Sequence, residues 1–219
     1  MIKRLYSWLY KITAGKDEKD DRFGGVVQGA VRRAALKLCA STSGRALEVG
    51  TGSGLFLIKL ALQNPGLKIW SIDTNDEYLD LTAKKIEVRG LRDIHLLCQD
   101  ARATSFDEGF FDVVICINMF LDVNIESVVM VLKEMNRVTR PSGRIIFEFR
   151  NSRNILFRLK YKLARYYDPS APYPLYTYDP DRIDDIIKNL NLVIVDKKYL
   201  GFPIKRFAPI IIVEARKRC

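Results

Sequence analysis

The chain has 219 residues and a mass of 25.2 kDa, enough for one domain with an inserted lid and too little for two full domains. Its apolar fraction of 48% and charged fraction of 28% exclude a collagenous, disordered or repeat-built chain. The formal charge of +10 is unevenly spread: residues 1–45 carry 10 basic and 4 acidic side chains, residues 46–149 carry 11 and 15, and residues 150–219 carry 15 and 7. A core of −4 between flanks that together hold +14 reads as a binding or catalytic centre between segments suited to an anionic partner.

In chain order, Met1–Thr13 places Ile2, Leu5, Tyr6, Leu9 and Ile12 on one helical face, and residues 1–45 are expected to form an N-terminal helical cap. Arg45–Val49 is a short apolar strand ending in glycines, followed by helical spacing over Leu55–Leu62. Lys68–Ile72 is a second strand. Asp76–Val88 reads as a helix with Asp76 and Glu77 in its first turn, Lys84 and Lys85 towards its last, and Gly90 as its stop. Ile94–Cys98 and Asp112–Ile117 are the third and fourth strands, Glu126–Val138 is a helix, and a turn at Pro141-Ser142-Gly143 leads into a fifth strand over Arg144–Phe149. Strands alternating with helices of about a dozen residues predict βαβ units and a mostly parallel sheet. Residues 151–180 break the pattern with Pro169, Pro172 and Pro174 and a run of tyrosines. The pattern resumes with a helix at Asp181–Leu190 and strands at Leu192–Lys197 and Pro209–Glu214, so the prolines and tyrosines read as a lid set into one domain.

The cysteines at 39, 98, 116 and 219 form no CxxC pair, so neither a disulfide framework nor a metal site is predicted. Cys98 and Cys116 lie in apolar runs and are expected to be small buried hydrophobes. No apolar run reaches the roughly 20 residues of a membrane span, which predicts a cytoplasmic protein.

The most informative stretch is Glu48-Val-Gly50-Thr51-Gly52-Ser-Gly54, between a strand and a helix, where a glycine turn lets a ligand approach bare backbone near a helix N-terminus. A P-loop would need a Lys-Ser or Lys-Thr after the glycines, and Leu55 and Phe56 stand there instead. A dinucleotide turn of the form GxGxxG would need its third glycine at Leu55, and Gly54 comes one residue early. With its acidic-x-Gly-x-Gly-x-Gly form, the stretch resembles the first motif of the class I, Rossmann-like methyltransferases that use S-adenosylmethionine (SAM), in particular the small-molecule methyltransferase-11/25 type. Further matches follow in that family's order: Ser71-Ile72-Asp73 at the end of the second strand, Gln99-Asp100-Ala101 after the third, Phe110–Ile115 entering the fourth, and Leu132–Gly143 before the fifth. Ser142 stands where the family commonly has a second glycine. The match covers residues 46–149.

The resemblance implies a three-layer αβα fold with a seven-stranded, mostly parallel sheet whose last strand is antiparallel. It divides the single domain into the cap (1–45), a SAM-binding core (46–149), the lid (151–180) and a closing helix and strands (181–219). Gly50 and Gly52, with Thr51 between them, would meet the methionine end, and Glu48 would orient the loop or meet the ammonium. Asp73 would grip the ribose diol, Thr74 and Ala101 would line the adenine side, and Asp100 would lie near the adenine amino group. Asn118, at the end of the fourth strand, would face cofactor or substrate. The implied product is S-adenosylhomocysteine (SAH).

The position after the fourth strand reads Asn118-Met-Phe-Leu-Asp122. It lacks the proline pair of enzymes that methylate base amino groups, and none of the cysteines follows a proline as in the 5-methylcytosine enzymes. Methyl transfer from a sulfonium depends chiefly on holding the nucleophile in line, worth roughly 7–11 kcal/mol, so no triad is required. Asp122 is the candidate carboxylate near the methyl group, with a helix N-cap or a solvated loop acid as its competing role. His95, the one histidine, is expected to pack on the strand surface. Tyr173, Tyr176 and Tyr178 would wall the pocket or pack the lid. Residues 150–165 hold six basic side chains and no acid, with Leu156, Leu159, Leu163 and Tyr166 at helical spacing, and such a helix covers a pocket or lies on an anionic membrane. The expected function is methyl transfer to a small molecule, lipid-like or anionic. The competing readings are an RNA or protein methyltransferase and a catalytically silent SAM-binding module.

Overall fold

The computed structural model describes residues 26–167 and 174–218. The helical face over Met1–Thr13, Tyr173 and Cys219 lie outside them. The described chain runs α1 (Val26–Leu38), β1 (Gly44–Val49), α2 (Leu55–Gln63), β2 (Leu67–Asp73), α3 (Asp76–Val88), β3 (Ile94–Cys98), β4 (Phe111–Cys116), α4 (Ile125–Val138), β5 (Thr139–Arg150), α5 (Ile155–Tyr167), α6 (Pro180–Asn189), β6 (Leu192–Leu200) and β7 (Ile210–Lys217). The strands form one sheet in the order β3-β2-β1-β4-β5-β7-β6. Pairs from β3 through β5 are parallel, and β7 runs antiparallel to both of its neighbours, as the sequence implied.

Helices cover both faces. On one, Val128, Val131, Leu132 and Met135 of α4 and Ile183 and Ile187 of α6 pack on Leu47, Val49, Val114 and Phe147. On the other, Val31 and Ala35 of α1 and Phe56, Leu57 and Leu60 of α2 pack on Ala46, Ile69, Ile115 and Ile212. This explains why β1 and β4 read as nearly unbroken apolar runs: strands buried on both faces have no solvent side to alternate towards. The edge strand β3 lacks that cover, and Cys98 at its end is exposed. The expectation of a buried thiol fails there, although Cys116, on central β4, is buried.

Helix starts follow side-chain capping. Asn75 accepts the amide hydrogens of Glu77 and Tyr78 ahead of α3, Asn124 that of Ser127 ahead of α4, and Asp179 that of Asp181 ahead of α6, each satisfying a donor that the first turn leaves open. The fifth strand begins earlier than expected. Thr139 already pairs with Phe111, and pairing resumes between Arg144 and Val113, so residues 140–143 bulge where a turn was predicted. A side chain at Gly143 would meet Thr139 Cγ2 at 2.6 Å and Arg140 O at 2.8 Å, hence the glycine. The closing strands also run three residues past their predicted ends, to Leu200 and Lys217. The lid is partly regular: α5 lies within it, and Tyr178 returns to bridge Asn151 beside the sheet.

Candidate active site

Strand order reverses between β1, which leads outwards to β2 and β3, and β4, which leads to β5. Loops leaving the C-terminal ends of two such strands diverge and open a crevice, the usual ligand site of an open α/β sheet. Here it is a cavity of about 550 Å³. The residues expected to hold the cofactor line it, Glu48, Gly50, Thr51, Gly52, Asp73, Thr74, Asp100, Ala101 and Asn118, and so does the candidate carboxylate Asp122.

The β1 side is held by backbone. The amides of Gly50 and Thr51 donate to Ile72 O at 2.9 and 3.0 Å, pinning the glycine turn across the end of β2. Gly54 enters α2 at φ 76°, and a Cβ there would sit 2.6 Å from Thr82 of α3. Both the dihedral and the approach demand glycine, which is why the third glycine falls at 54 and not at 55. The amide of Gly52 donates to Asp73 Oδ2 at 2.8 Å, and that of Asn75 to Asp73 Oδ1 at 3.0 Å. The carboxylate plane is thereby fixed, and each oxygen keeps a further lone pair.

Glu48 is 2% exposed and accepts a 2.5 Å hydrogen bond from Ser71 Oγ, which in turn is 2.7 Å from Thr51 Oγ1. Desolvation pushes its carboxyl up to about 8, against the Ser71 hydrogen bond. Through Ser71 and Thr51 the buried acid braces the glycine turn from beneath. Asp100 is gripped by Arg102, whose Nη2 lies 2.5 Å from Oδ2, and these hydrogen bonds hold its carboxyl below the usual range. The loop behind Asp100 is clamped to α4. Glu134 accepts the amide and hydroxyl hydrogens of Thr104 at 2.8 and 2.6 Å, and Arg137 donates to Phe106 O at 2.8 Å. The hydrogen bond from Arg137 brings the Glu134 carboxyl down to about 2.

The β4 side rests on buried charge. Asn118 follows β4 at φ 56°, a left-handed conformation that asparagine tolerates better than most residues. Its amide donates to Glu148 Oε1 at 2.8 Å, and its side-chain oxygen accepts from Arg150 Nη2 at 3.3 Å. Glu148 and Arg150 pair at 2.5 Å, each 1% exposed, and Arg150 Nε reaches Tyr161 of α5 at 3.0 Å. The Tyr178 hydroxyl donates to Phe120 O at 2.7 Å and also meets Val123 O, so Tyr178 holds the lid to this loop. Tyr176 lines the cavity. Asp122 does not cap α4, a role Asn124 takes. It lines the cavity but is exposed, as a solvated loop acid would be, with its carboxyl raised by partial desolvation. His95 lies away from the cavity, stacked on Trp70 with ring centroids 4.8 Å apart.

Sequence reasoning missed Arg32, Arg102, Met119 and the pair Glu148–Arg150. Arg32 of α1 is buried and lines the cavity. It arrives from a helix that the match did not cover. The buried pair had a faint signal in the charged side chains of Phe-Glu148-Phe-Arg150, alternating with phenylalanines at the end of the fifth predicted strand.

A reversed parallel sheet with a glycine turn at its switch point and a fixed carboxylate at the next strand end defines a Rossmann-like binder of nucleoside-type ligands. Residues 46–143 match the family model described as a methyltransferase domain. A phosphatidylethanolamine N-methyltransferase of Cereibacter sphaeroides is 34% identical over 150 residues, covering 67% of this chain and 71% of that protein. A tRNA N(3)-cytidine methyltransferase of Gallus gallus is 27% identical over 70% of this chain and 44% of its own length. A demethylmenaquinone methyltransferase of Deinococcus radiodurans is 33% identical over 64% of this chain and 57% of its own length. Among solved structures, magnesium protoporphyrin IX methyltransferase from Synechocystis, with SAH bound, superposes with a TM-score of 0.67 at 16% identity, covering 98% of this chain and 94% of that one. The chain belongs to the class I SAM-dependent methyltransferases and uses SAM as its methyl donor.

Proposed function

We propose that the methyl acceptor is a small, largely apolar molecule with a polar reacting end, of the kind found among membrane lipids and quinones. The observation that carries this reading is the wall of the cavity on its β4 side: Met119, Leu121, Val123, Val131 and Tyr176 surround Asn118 and Asp122. Such a wall buries an apolar body while aiming one polar group. Relatives named for phosphatidylethanolamine and demethylmenaquinone support it.

Bound SAM supplies a methyl group on a sulfonium, a leaving group activated by its own charge. The residues present fit that donor. Asp73 has lone pairs for two ribose hydroxyls, Gly50 and Gly52 leave backbone open to the methionine end, Arg32 offers a cation to its carboxylate, and Glu48 orients the loop through Ser71 and Thr51. Thr74, Ala101 and Asp100 border the adenine side. Asn118, fixed by Glu148 and Arg150, positions the acceptor, and Asp122 takes up a proton where the acceptor atom carries one.

The test is incubation of the purified protein with methyl-labelled SAM and, separately, lipid extract, RNA and a protein fraction. Label in the solvent-extractable lipid fraction is expected. Label confined to RNA, the outcome that the tRNA-methylating relative and the basic flanks favour, or confined to protein, overturns the reading. Asp122→Asn is expected to slow turnover by about a hundredfold with SAM affinity unchanged, and an equal loss in affinity would place Asp122 in the donor site.

A further inference from the structure

α5 is amphipathic twice over. At about 100° per residue, Phe157, Tyr161 and Ala164 share one side, and Phe157 and Ala164 are buried against the domain. Ile155, Leu156, Leu159, Leu163 and Tyr166 share a sector of about 100° on the opposite side. All five are exposed, Ile155 to 73%, Leu156 to 75% and Tyr166 to 60%. Lys160 flanks this outer row on one side, and Arg158, Lys162 and Arg165 flank it on the other. The helix contains no carboxylate.

A second exposed apolar segment is tied to the start of the helix. Asn154, just ahead of Ile155, donates to Phe207 O at 2.6 Å, and Asn151 donates to Arg206 O and Ala208 O at 2.9 Å. These bonds stitch the turn after β6 against the start of α5. That turn exposes Phe202, Ile204 and Phe207 beside Lys205 and Arg206, again without an acid. An exposed apolar surface of this extent marks an interaction site.

We propose that the outer face of α5, with the turn over 202–207, docks the enzyme on an anionic phospholipid bilayer, the apolar row entering the interface and the cations resting among the headgroups. The charge decides the occupant. A second copy would set six cations against six with no carboxylate between them. The segment Met1–Thr13 is itself cationic through Lys3, Arg4 and Lys11 and carries no acid. RNA recognition draws on phosphates and on aromatic stacking faces, and this row is mostly aliphatic. The inner side of the same helix reaches the active site, since Tyr161 touches Arg150 and Arg150 touches Asn118. Docking therefore brings the acceptor side of the cavity to the membrane with one helix between them. The surface does not depend on the proposed acceptor, because its test reads association and not turnover.

The test is flotation of the full-length protein with vesicles of phosphatidylcholine alone or mixed with phosphatidylglycerol. The wild type is expected to float with the mixed vesicles, less so as salt is raised, and not with phosphatidylcholine alone. The double variant L156E/L159E and the double variant R158Q/K162Q are each expected to bind about tenfold or more weakly. L62E, on the exposed side of α2, keeps wild-type binding. The altered side chains are exposed, so unchanged thermal unfolding should accompany the loss. Failure of the wild type to bind mixed vesicles overturns the proposal, as does binding indifferent to both double variants. Binding abolished by removing residues 1–13 but kept in L156E/L159E assigns the surface to the N-terminal segment and also overturns it. A dimer in solution that L156E/L159E dissolves would give the face to a second copy instead.

Discussion

The two halves of the cavity are built by different means. Around β1 and β2 the site is backbone: a glycine turn pinned to Ile72, with Asp73 locked by the amides of Gly52 and Asn75. Around β4 and β5 it is side chain: Glu148 and Arg150, fully buried, hold Asn118 in a left-handed conformation and reach across to Tyr161 in the lid. Under the proposed assignment the first half would bind a donor that is the same in every reaction of the family, and two short motifs at neighbouring strand ends suffice. The second must suit one acceptor, and its parts come from four segments of the chain. A scaffold can keep the first and vary the second, which is how one fold serves many acceptors.

Breaking the β4 side should have the largest effect. Arg150→Met leaves Glu148 buried without its partner, and removing one member of a buried pair costs about 3–5 kcal/mol; denaturant unfolding should show this loss. Adding Glu148→Leu to Arg150→Met is expected to recover much of it, and failure of the double variant to do so would show that the pair is not the support of this half. On the β1 side the equivalent change costs affinity and not folding. Asp73→Ala is expected to weaken SAM binding by about ten- to a hundredfold, the worth of one or two charge-assisted hydrogen bonds. Calorimetric titration gives this directly, and unchanged affinity would remove Asp73 from the ribose site.

The pH dependence sharpens the contrast further, because two glutamates act with opposite sign. Glu48, raised to about 8 by burial, binds a proton in the folded state that the unfolded chain releases above about 4.5. Its contribution to stability therefore falls as pH rises from about 4.5 to 8. Glu48→Gln should be more stable than the wild type at pH 8, with the gap closing towards pH 4.5. Glu134, lowered to about 2 by Arg137, stabilises the fold above about 4.5, and that contribution is lost as pH falls towards 2. Glu134→Gln should be the less stable protein at pH 7 and converge with the wild type in acid. Thermal unfolding across this range separates the two, and parallel curves would contradict both assignments. The smallest effect belongs to a residue outside either half. His95→Ala forfeits the stack on Trp70, worth about 0.5–1.5 kcal/mol, and should leave turnover unchanged.

The sequence by itself determined the half assigned to the donor. Its residues lie within a few positions of a strand end, where a turn's geometry demands glycine and a carboxylate must sit at a fixed step from the next strand. Such requirements are local, so Gly50, Gly52, Gly54 and Asp73 could be read in order along the chain. It also determined the αβ alternation, since strands buried on both faces must be apolar runs and the helices between them must be amphipathic. Tertiary structure alone decided the rest. Whether Cys98 is buried depends on β3 being an edge strand, and whether Asp122 or Asn124 caps α4 depends on where the chain turns into the helix. The partnership of Glu148 and Arg150 with Asn118 spans 30 residues or more. It exists because parallel pairing sets Cys116 beside Phe147, bringing the end of β4 to the residues that follow Phe147. The apolar outer row of α5 was legible as helical spacing, but spacing does not say which of two apolar sides faces the protein. Only packing settles that, with Phe157 and Ala164 inward and Leu156 and Leu159 left to water.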